Sequence, residues 1–256
     1  MVPNRETPSK DSRPGLNETR GIDPETPSSV GVAVPAAGLG SRMGGARKPF
    51  LELSGEPLLL HSLRPFLAHP AVVSVAVALA PEELEDPPGW LTDLDPRIRL
   101  VQGGATRGES VWAALQALPE AAGLVAVHDA ARPLVTVEII DRGLRAVAEG
   151  VGAVAGWPAV DTLKRVGERD QVRATLPRSE VWHAQTPQVF PRKVIVRAYR
   201  EAMEFGVSDT DDSALVERMG GTVVMVPGSP SNIKVTRSED LPLAEHFFRR
   251  RREVSR

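Results

Sequence analysis

The stretch that decides the fold reads Val32-Ala33-Val34-Pro35-Ala36-Ala37-Gly38-Leu39-Gly40-Ser41-Arg42-Met43, and Lys48 and Pro49 follow a few residues later. An apolar strand leads directly into a loop of small residues, which lets backbone N–H groups approach an anion closely. Arg42 and Lys48 add positive charge where a polyphosphate would lie. The stretch therefore predicts a nucleoside triphosphate site near the start of the domain.

Two commoner glycine-rich loops do not fit this stretch. A dinucleotide-binding fingerprint has a third glycine at the helix start, where this chain has Met43. A P-loop has Ser or Thr directly after Gly-Lys, whereas Pro49 follows Lys48. The remaining pattern, Ala-Ala-Gly-x-Gly-x-Arg-Met followed by Lys-Pro, is typical of nucleotidyltransferases that join a sugar or polyol phosphate to a nucleotide. An ordinary glycine-rich turn with two solvated cations is the alternative.

The composition excludes several classes of function. The 256 residues carry 31 Lys and Arg against 33 Asp and Glu, a formal charge of -2, so no general attraction to nucleic acid is expected. The absence of cysteine excludes disulfides, thiolate metal sites and a cysteine nucleophile, and it is compatible with a cytoplasmic location. No apolar run approaches the roughly 18 residues of a membrane span, so no membrane contact is expected.

The N-terminal segment 1–28 differs in composition from the rest of the chain. It is punctuated by prolines and poor in apolar residues, so it is predicted to be a disordered tail in front of a domain over 29–256. It lacks the apolar stretch of a signal peptide, and its acidic residues are unlike an organelle transit peptide. The sequence ends at Arg256, so no fused second enzyme is expected.

Apolar strand-like segments alternate with helical patterns along the domain. The predicted strands are Val30–Val34, Val72–Ala80, Ile98–Gln102, Leu124–His128, Gly152–Gly156, Thr222–Val226 and Ile233–Val235, and the predicted helices are Ser110–Leu118, Val137–Glu149, Val194–Phe205 and Glu239–Phe248. This alternation predicts an α/β fold with a mainly parallel sheet and helices on both faces. Because ligands bind at the carboxyl ends of such strands, the segments 36–42 and 128–132 are expected at one edge.

The alternation breaks between Trp157 and Phe190. Asp161–Val166 and Val172–Leu176 flank a polar turn, which predicts an inserted hairpin, a β-arm at about 157–180. An isolated hairpin is marginally stable in water, so it is expected to pack on another surface, such as a second subunit.

Three further charged segments are candidates for chemistry. Asp129 follows an apolar strand, where a carboxylate suits Mg²⁺, and Arg132 could hold a substrate phosphate. Asp129 could instead cap a helix and pair with Arg132. Lys234 lies inside an apolar run, so it either faces an anion or lies on an exposed strand face. The segment 208–212 is predicted to begin a helix, and it could also contact a polyol.

The residues offer no pattern for a general base. Ser-His-Asp and metal-type histidine spacings do not occur, and structural hydrogen bonds are the expected roles of His128 and His183. A phosphate monoester with a second pKa of about 6 is largely dianionic at neutral pH, so it can attack without a base. Such an enzyme needs positioning, cations and Mg²⁺.

Taken together, these segments resemble the 2-C-methyl-D-erythritol 4-phosphate cytidylyltransferase family of the non-mevalonate isoprenoid pathway. The resemblance runs from about Val30 to the C-terminal helix. It rests on 36–43, Gly103-Gly104 with Arg107 and Ser110, 127–133, 161–165, 182–188, Thr210-Asp211 and 232–236.

The resemblance implies a Rossmann-like nucleotidyltransferase that uses CTP and Mg²⁺ in a homodimer. Its catalytic residues would be Arg42, Lys48 and Lys234, and its CTP-binding residues Ala36, Ala37, Gly38, Gly40, Gly104, Ser110 and Asp129. The acceptor site would comprise Asp129, Arg132, Thr210 and Lys234, with Thr162 and Arg178 from the arm of the other subunit; Asp129 would also meet the metal. The spacer from Met43 to Lys48 is short for the family, and Arg47 stands where a proline is usual.

Three other functions remain open from the residues. A cytidylyltransferase for another polyol phosphate, such as ribitol 5-phosphate, would share the CTP loop and differ around Thr210 and the arm. An enzyme for a different nucleotide and a sugar 1-phosphate is a second alternative. A catalytically silent nucleotide-binding subunit is the third, and the presence of all the charged groups argues against it.

Overall fold

The computed structural model describes residues 29–38, 47–207 and 211–254. Four parts of the sequence prediction lie outside these residues: the tail 1–28, Gly40, Arg42 and Thr210.

Eleven strands are present in the described residues. They are β1 (Val30–Pro35), β2 (Glu52–Leu53), β3 (Glu56–Pro57), β4 (Val72–Leu79), β5 (Ile98–Gln102), β6 (Leu124–Val127), β7 (Val151–Pro158), β8 (Lys164–Val166), β9 (Val172–Thr175), β10 (Trp182–Pro191) and β11 (Thr222–Pro227). Seven of them form the central sheet in the order β11-β7-β10-β6-β1-β4-β5. All its neighbouring strands are parallel except those that flank β10, which runs antiparallel to both β6 and β7.

Helices cover both faces of the sheet, as predicted. They are α1 (Leu58–Leu67), α2 (Pro81–Glu85), α3 (Gly89–Thr92), α4 (Arg107–Ala117), α5 (Val137–Ala146), α6 (Arg192–Glu204), α7 (Asp212–Arg218) and α8 (Asp240–Val254). Helices α1 and α5 contribute Phe66 and Ile140 to the core on one face. Helices α4, α6 and α7 contribute Leu115, Tyr199 and Leu215 to the core on the other. No helix in the described ranges is both long and apolar enough to cross a membrane.

One sequence prediction about a single element is wrong, and one strand was missed. Residues Ile233–Val235 do not form a strand; they lie in an extended loop, where the Val235 amide donates to the Ala131 carbonyl at 2.8 Å. The antiparallel strand β10 was not predicted, because its Gln185-Thr186-Pro187-Gln188 sequence interrupts the apolar pattern. Its side chains Gln185, Thr186 and Gln188 are nevertheless buried, and they bind the loop at 229–232, the turn after β6 and the start of α7.

The predicted hairpin is present between β7 and β10. Strands β8 and β9 pair antiparallel with each other and form a separate two-stranded sheet. Its valines are exposed, with relative accessibilities of 53% for Val166 and 62% for Val172, and Val160, in the segment that leads into the hairpin, is 69% exposed. The described residues of this chain therefore leave the apolar side chains of the hairpin uncovered.

Candidate active site

A cleft of about 410 Å³ opens at the carboxyl ends of β1, β5 and β6. Its volume lies within the range of roughly 300–1,000 Å³ that is usual for small-molecule sites. The cleft is lined by Pro35, Ala37, Gly38, Lys48, Gly104, Ala105, Thr106, Arg107, Ser110, Asp129, Ala130, Ala131, Lys234 and Thr236. The sheet edge predicted to bind a ligand is thus the edge that carries the cleft.

One wall of the cleft is the turn that joins β5 to α4. A Cβ atom on Gly103 would lie 2.4 Å from the Ala37 Cβ, so only glycine lets this turn approach the loop after β1. The Ser110 hydroxyl accepts from the Gly104 amide at 3.2 Å and donates to the Thr106 carbonyl at 3.0 Å. Thr106 and Glu109 form a capping box that begins α4. The wall is therefore rigid backbone with polar groups beside the cleft.

Asp129 is the centre of the site's charge. One carboxylate oxygen accepts from Arg107 Nε at 3.0 Å, and the other lies 2.9 Å from Lys234 Nζ and 3.4 Å from Arg132 Nε. The residue is 6% exposed, and burial by itself would raise its pKa. The positive charges of Arg107, Lys234 and Arg132 outweigh burial and hold the pKa of Asp129 well below its usual range. Asp129 is therefore ionised at every physiological pH.

Arg107 joins Asp129 to a second buried carboxylate, that of Asp212 on α7. Its two terminal nitrogens donate to the two Asp212 oxygens at 2.9 and 2.8 Å, a bidentate pair. Asp212 is fully buried and also accepts from the Tyr199 hydroxyl. Burial by itself would lower the pKa of Arg107, but the negative charges of Asp212 and Asp129 raise it. The guanidinium is thus fixed between two acids that the sequence places on different elements.

Arg132, which contacts Asp129, is also hydrogen-bonded to the loop that carries Lys234. Arg132 Nη1 donates to the Asn232 carbonyl at 2.8 Å. Asn232 is fully buried, and its side-chain amide donates to the Thr186 carbonyl at 2.9 Å. The loop that carries Lys234 is therefore anchored to β10 and to the turn after β6. The Lys234 side chain remains 39% exposed, so its ammonium faces both Asp129 and the cleft.

Lys48 reaches the cleft from a short 3-10 helix, Lys48–Phe50. Its neighbour Arg47 points elsewhere and forms ion pairs with Glu82 at 3.0 Å and Glu83 at 2.9 Å at the start of α2. Arg47 stands where the family usually has proline, and its ion pairs thus connect the turn before Lys48 to α2.

His128 has the structural role expected from its sequence position. The ring is fully buried, and its nitrogens lie 3.0 Å from the Thr186 hydroxyl oxygen and 3.2 Å from the Arg132 carbonyl oxygen. Burial lowers the pKa of His128 to about 4. The imidazole is therefore neutral at neutral pH.

Most of the described residues predicted for the site lie together. Ala37, Gly38, Lys48, Gly104, Ser110, Asp129 and Lys234 line the one cleft, and Arg132 contacts Asp129. Ala36 is buried behind the loop, where its amide donates to the Ala78 carbonyl at 2.8 Å. Among the described residues that line the cleft, neither Thr162 nor Arg178 is included. Arg178 instead donates to the Val160 carbonyl at the base of the hairpin, at 3.2 Å.

Three residues near Asp129 had no role of their own in the sequence prediction: Arg107, Thr186 and Asn232. All three lie in segments that carried the family resemblance, which marked the segments as important but did not show what these side chains contact. Asp212 was read as an acidic helix start, and α7 does begin there. Its partner on α4 could not be found from one sequence, because the pairing depends on how α4 and α7 pack.

The described residues contain no group of three or more His, Asp or Glu side chains that could hold a metal ion. Asp129 is the one carboxylate among the described residues that line the cleft, and both of its oxygens are engaged by cations. The donor set of the described chain therefore does not form a cage for a metal; a triphosphate would have to supply most of the ligands.

The sequence is similar to one family over nearly the whole domain. The profile of the 2-C-methyl-D-erythritol 4-phosphate cytidylyltransferase family matches residues 30–250. A protein of that name from Acidobacterium capsulatum is 43% identical over 235 residues, which cover 87% of this chain and 98% of the relative. Another from Symbiobacterium thermophilum is 45% identical over 217 residues, covering 84% of this chain and 91% of the relative.

The fold is similar to solved structures of the same description. The crystal structure of 2-C-methyl-D-erythritol 4-phosphate cytidylyltransferase from Thermus thermophilus has a TM-score of 0.71 and 34% identity, and the match covers 87% of this chain and 98% of that one. The 4-diphosphocytidyl-2C-methyl-D-erythritol synthase from Anaerococcus prevotii has a TM-score of 0.77 and 28% identity, with 87% and 97% covered. Every described residue that lines the cleft falls within the range matched by the family profile.

Proposed function

Because the chain belongs to the 2-C-methyl-D-erythritol 4-phosphate cytidylyltransferase family, we propose that it transfers CMP from CTP to 2-C-methyl-D-erythritol 4-phosphate. The products are 4-diphosphocytidyl-2-C-methyl-D-erythritol and pyrophosphate, and the reaction belongs to isoprenoid precursor biosynthesis. The chain is a nucleotidyltransferase. The observation that carries the proposal is the set of cations around Asp129 at the edge of a cleft that also holds Lys48.

The reaction that this site supports is an in-line displacement at phosphorus. A phosphate oxygen of the acceptor forms a bond to the α-phosphorus of CTP, and the bond from that phosphorus to the bridging oxygen of the β-phosphate breaks. Pyrophosphate leaves with the bonding electrons. The acceptor phosphate is largely dianionic at neutral pH, so no side chain has to remove a proton.

Lys48 and Lys234 supply the positive charge that this displacement needs. Both side chains line the cleft, and Asp129 holds the Lys234 ammonium in place. Preorganised cations stabilise the charge that develops on the phosphoryl oxygens without reorganisation during the reaction. Arg42, which lies outside the described residues, is proposed as the third cation by its position in the loop.

The turn between β5 and α4 is proposed to recognise the cytosine base. Backbone polar groups near Ala37 and Gly104 adjoin the cleft, and the Ser110 hydroxyl fixes the Gly104 amide. Hydrogen-bonding groups held in this way reject bases with a different donor and acceptor pattern, because mismatched partners would remain unpaired. Asp129, Arg132, Lys234 and Thr210 are proposed for the acceptor, with Thr210 again outside the described residues.

Mg²⁺ is proposed as part of the substrate MgCTP. The triphosphate oxygens would provide most of the ion's ligands, because Asp129 is already engaged by Arg107 and Lys234. Asp129 as a direct metal ligand stays a prediction.

A homodimer with shared active sites is also proposed. The hairpin of β8 and β9 exposes its valines and has no cover from the described part of its own chain. The base of the hairpin carries Thr162 and Arg178, which would reach the acceptor phosphate of the partner subunit. An arginine suits this role because its guanidinium binds phosphate in a bidentate manner.

Two further proposals concern the N-terminal tail and the location of the protein in the cell. The tail 1–28 precedes the matched range 30–250, so we propose that it is dispensable for the fold and for catalysis; activity and melting temperature of a chain that begins at Ser29 test this. A cytoplasmic location is proposed because the composition lacks cysteine and suits a reducing compartment. Cell fractionation tests that location.

A substrate panel tests the proposed function directly. The purified protein is mixed with each of the four nucleoside triphosphates, Mg²⁺ and a set of polyol and sugar phosphates, and pyrophosphate release is measured. CTP with methylerythritol phosphate is expected to be the best pair. Faster turnover of ribitol 5-phosphate would change the acceptor assignment, and preference for another nucleotide would overturn the role of the β5–α4 turn. Lack of turnover with every pair would favour a silent nucleotide-binding subunit.

A further inference from the structure

Tyr199 is the only tyrosine in the chain, and its ring lies in the core between the sheet and the helices α4 and α6. The residue is 1% exposed. Its ring stacks on Trp112 of α4, with the ring centroids 6.5 Å apart and the ring planes 8° from parallel. Because this packing fixes the ring, it also fixes the position of the hydroxyl.

The hydroxyl of Tyr199 donates to a buried carboxylate. It contacts Oδ1 of Asp212, the same oxygen that accepts from Arg107 Nη1 at 2.9 Å. Burial and the negative charge of Asp212 raise the pKa of Tyr199 well above its usual range, so the hydroxyl keeps its proton at neutral pH. A buried tyrosine usually finds a partner for its hydroxyl, and here that partner belongs to the charged network of the active site.

From Asp212 a series of contacts continues to the cleft. Its second oxygen accepts from Arg107 Nη2 at 2.8 Å, and Arg107 Nε donates to Asp129 Oδ1 at 3.0 Å. The other oxygen of Asp129 lies 2.9 Å from Lys234 Nζ. The two carboxylates therefore hold one guanidinium between them, with the Tyr199 hydroxyl at one end of the series and the Lys234 ammonium at the other.

The Tyr199 hydroxyl adds a constraint that the arginine alone does not supply. A carboxylate and a guanidinium that are bonded only to each other can shift together as a pair. Asp212 begins α7, Arg107 begins α4 and Tyr199 belongs to α6, so the carboxylate joins three helices. Hydrogen bonds to ionised groups are strong, and a buried network of them is rigid. Removal of the hydroxyl therefore loosens Arg107 and its contact with Asp129.

We propose that Tyr199 is a positioning residue for the reaction: through the two buried acids and the arginine between them, its hydroxyl sets the place of the Lys234 ammonium in the cleft. This inference rests on the proposed function for its kinetic readout. The CTP-binding turn at Gly104 and Ser110 is held by its own hydrogen bonds. The consequence is therefore expected in kcat rather than in the KM for CTP.

The first test removes the hydroxyl alone. Tyr199→Phe keeps the ring that stacks on Trp112. We expect kcat to fall about fivefold or more, because a displaced Lys234 stabilises the reacting phosphate less well, with the KM for CTP within about twofold of its original value. Ser74→Ala is the matched control: it removes a buried hydroxyl on β4 that has no hydrogen-bond partner among the described residues, and it should leave kcat unchanged.

The second test repeats the substitution in a Lys234→Met protein, which separates positioning from a packing defect. If the hydroxyl acts through Lys234, the double variant should have a kcat within about twofold of that of Lys234→Met alone, because the group to be positioned is absent. A packing defect would instead lower kcat by the same factor in both backgrounds. That result, or an unchanged kcat in Tyr199→Phe alone, would overturn the proposal.

A spectroscopic test needs no turnover and covers the case in which Tyr199→Phe fails to fold. A carbon-13 label at the tyrosine Cζ gives a single NMR signal, because the chain has one tyrosine. The signal should move when Lys234→Met removes the cation at the far end of the series. It should stay in place in Lys193→Met, which changes an exposed lysine on the same helix as Tyr199. A signal that does not respond to Lys234→Met would overturn the proposal, whereas a responding signal in a protein without turnover would sink the proposed function alone.

Discussion

The carboxylate of Asp129 lies 2.9 Å from the ammonium of Lys234, and this pair joins the turn after β6 to the loop that precedes α8. The two side chains differ in exposure: Asp129 is buried, whereas 39% of the Lys234 side chain is exposed. The lysine is therefore oriented by a fixed anion while its charge remains available to the cleft. Such an arrangement preorganises a cation for an incoming phosphate.

Lys234→Met is expected to reduce kcat by about 10²–10³, because it removes one preorganised charge at the reacting phosphate. The fold should persist, since Asp129 keeps its contacts with Arg107 and Arg132. Lys193→Met changes an exposed lysine on α6 and serves as the control. Steady-state pyrophosphate release measures both proteins, and near-normal kcat in Lys234→Met would remove this residue from the mechanism.

Asp212→Asn is expected to lower the free energy of unfolding by about 3 kcal/mol, because it deprives buried Arg107 of one of its two acids. The lower end of the usual range applies, since Asp129 still neutralises the guanidinium. Glu201→Gln breaks an exposed pair with Arg197 and should cost less than about 0.5 kcal/mol. Urea unfolding compares the two proteins, and equal losses would show that the buried pair contributes no more than an exposed one.

Lys48→Ala and Arg47→Ala change adjacent cations, and we expect only Lys48→Ala to reduce activity strongly. Lys48 lines the cleft, so its loss should reduce kcat by about 10²–10³. Arg47 points to Glu82 and Glu83, so Arg47→Ala should retain most of the activity. Turnover and CTP affinity are measured for both. A larger defect in Arg47→Ala than in Lys48→Ala would mean that the two side chains exchange roles when CTP binds.

The sequence was sufficient to predict the six parallel strands of the sheet, the longer helices around α4, α5, α6 and α8, and the edge that carries the site. The parallel strands are continuous apolar runs, and their carboxyl ends share one edge by geometry alone. Of the two alternatives for Lys234, an anion partner or an exposed strand face, the first agrees with its contact to the Asp129 carboxylate, although the segment around it is a loop rather than a strand. The segment was predicted to be a strand because an extended loop, here with the Val235 amide bonded to the Ala131 carbonyl, has the same alternation of apolar and polar residues as a strand.

The contacts of Arg107 and Thr186 could not be predicted in the same way. Arg107 bridges acids after β6 and on α7, and that bridge exists only once α4 and α7 are packed. Thr186 belongs to a strand whose direction is opposite to its neighbours, and its polar sequence does not resemble a buried strand. Both contacts depend on tertiary register, which periodicity along the chain does not encode.

Stability should fall as the pH drops from about 7.5 to about 5.5, and His61 should contribute to the fall. Burial of the ring lowers the pKa of His61, and the positive charges of Arg64 and Arg251 lower it further. The hydrogen bond to the Leu53 carbonyl and the charge of Glu56 raise the pKa but do not outweigh burial. The unfolded chain therefore binds a proton at a pH where the folded chain does not. The stability is complete above the unfolded pKa of about 6.5 and is lost below it, with a slope of at most about 1.4 kcal/mol per pH unit.

Urea unfolding at the two pH values measures this contribution. His61→Gln should flatten the dependence, and the remainder should include His128, whose pKa is lowered in the same direction. His246→Gln, at an exposed position on α8, is the matched control. An equal pH dependence in His61→Gln and the unmodified protein would contradict the assignment.

The shared-site proposal makes the most demanding prediction, which concerns Arg178. Arg178→Ala is expected to raise the KM for the acceptor more than the KM for CTP, because the arginine would meet the acceptor phosphate of the partner.

A mixing experiment tests whether the arm acts across subunits. Lys48→Ala disables the cleft of its own chain. In a mixed dimer, the chain with Arg178→Ala keeps an intact cleft and receives the intact arm of the Lys48→Ala chain. One complete site is thus rebuilt, so mixing the two impaired proteins should recover part of the activity. Light scattering of the unmodified protein, which is expected to give the mass of a dimer, and a tagged-subunit capture assay show whether chains pair and exchange. If exchange is demonstrated and the mixture stays at the sum of the two mutants, Arg178 does not act across subunits and the shared site is excluded.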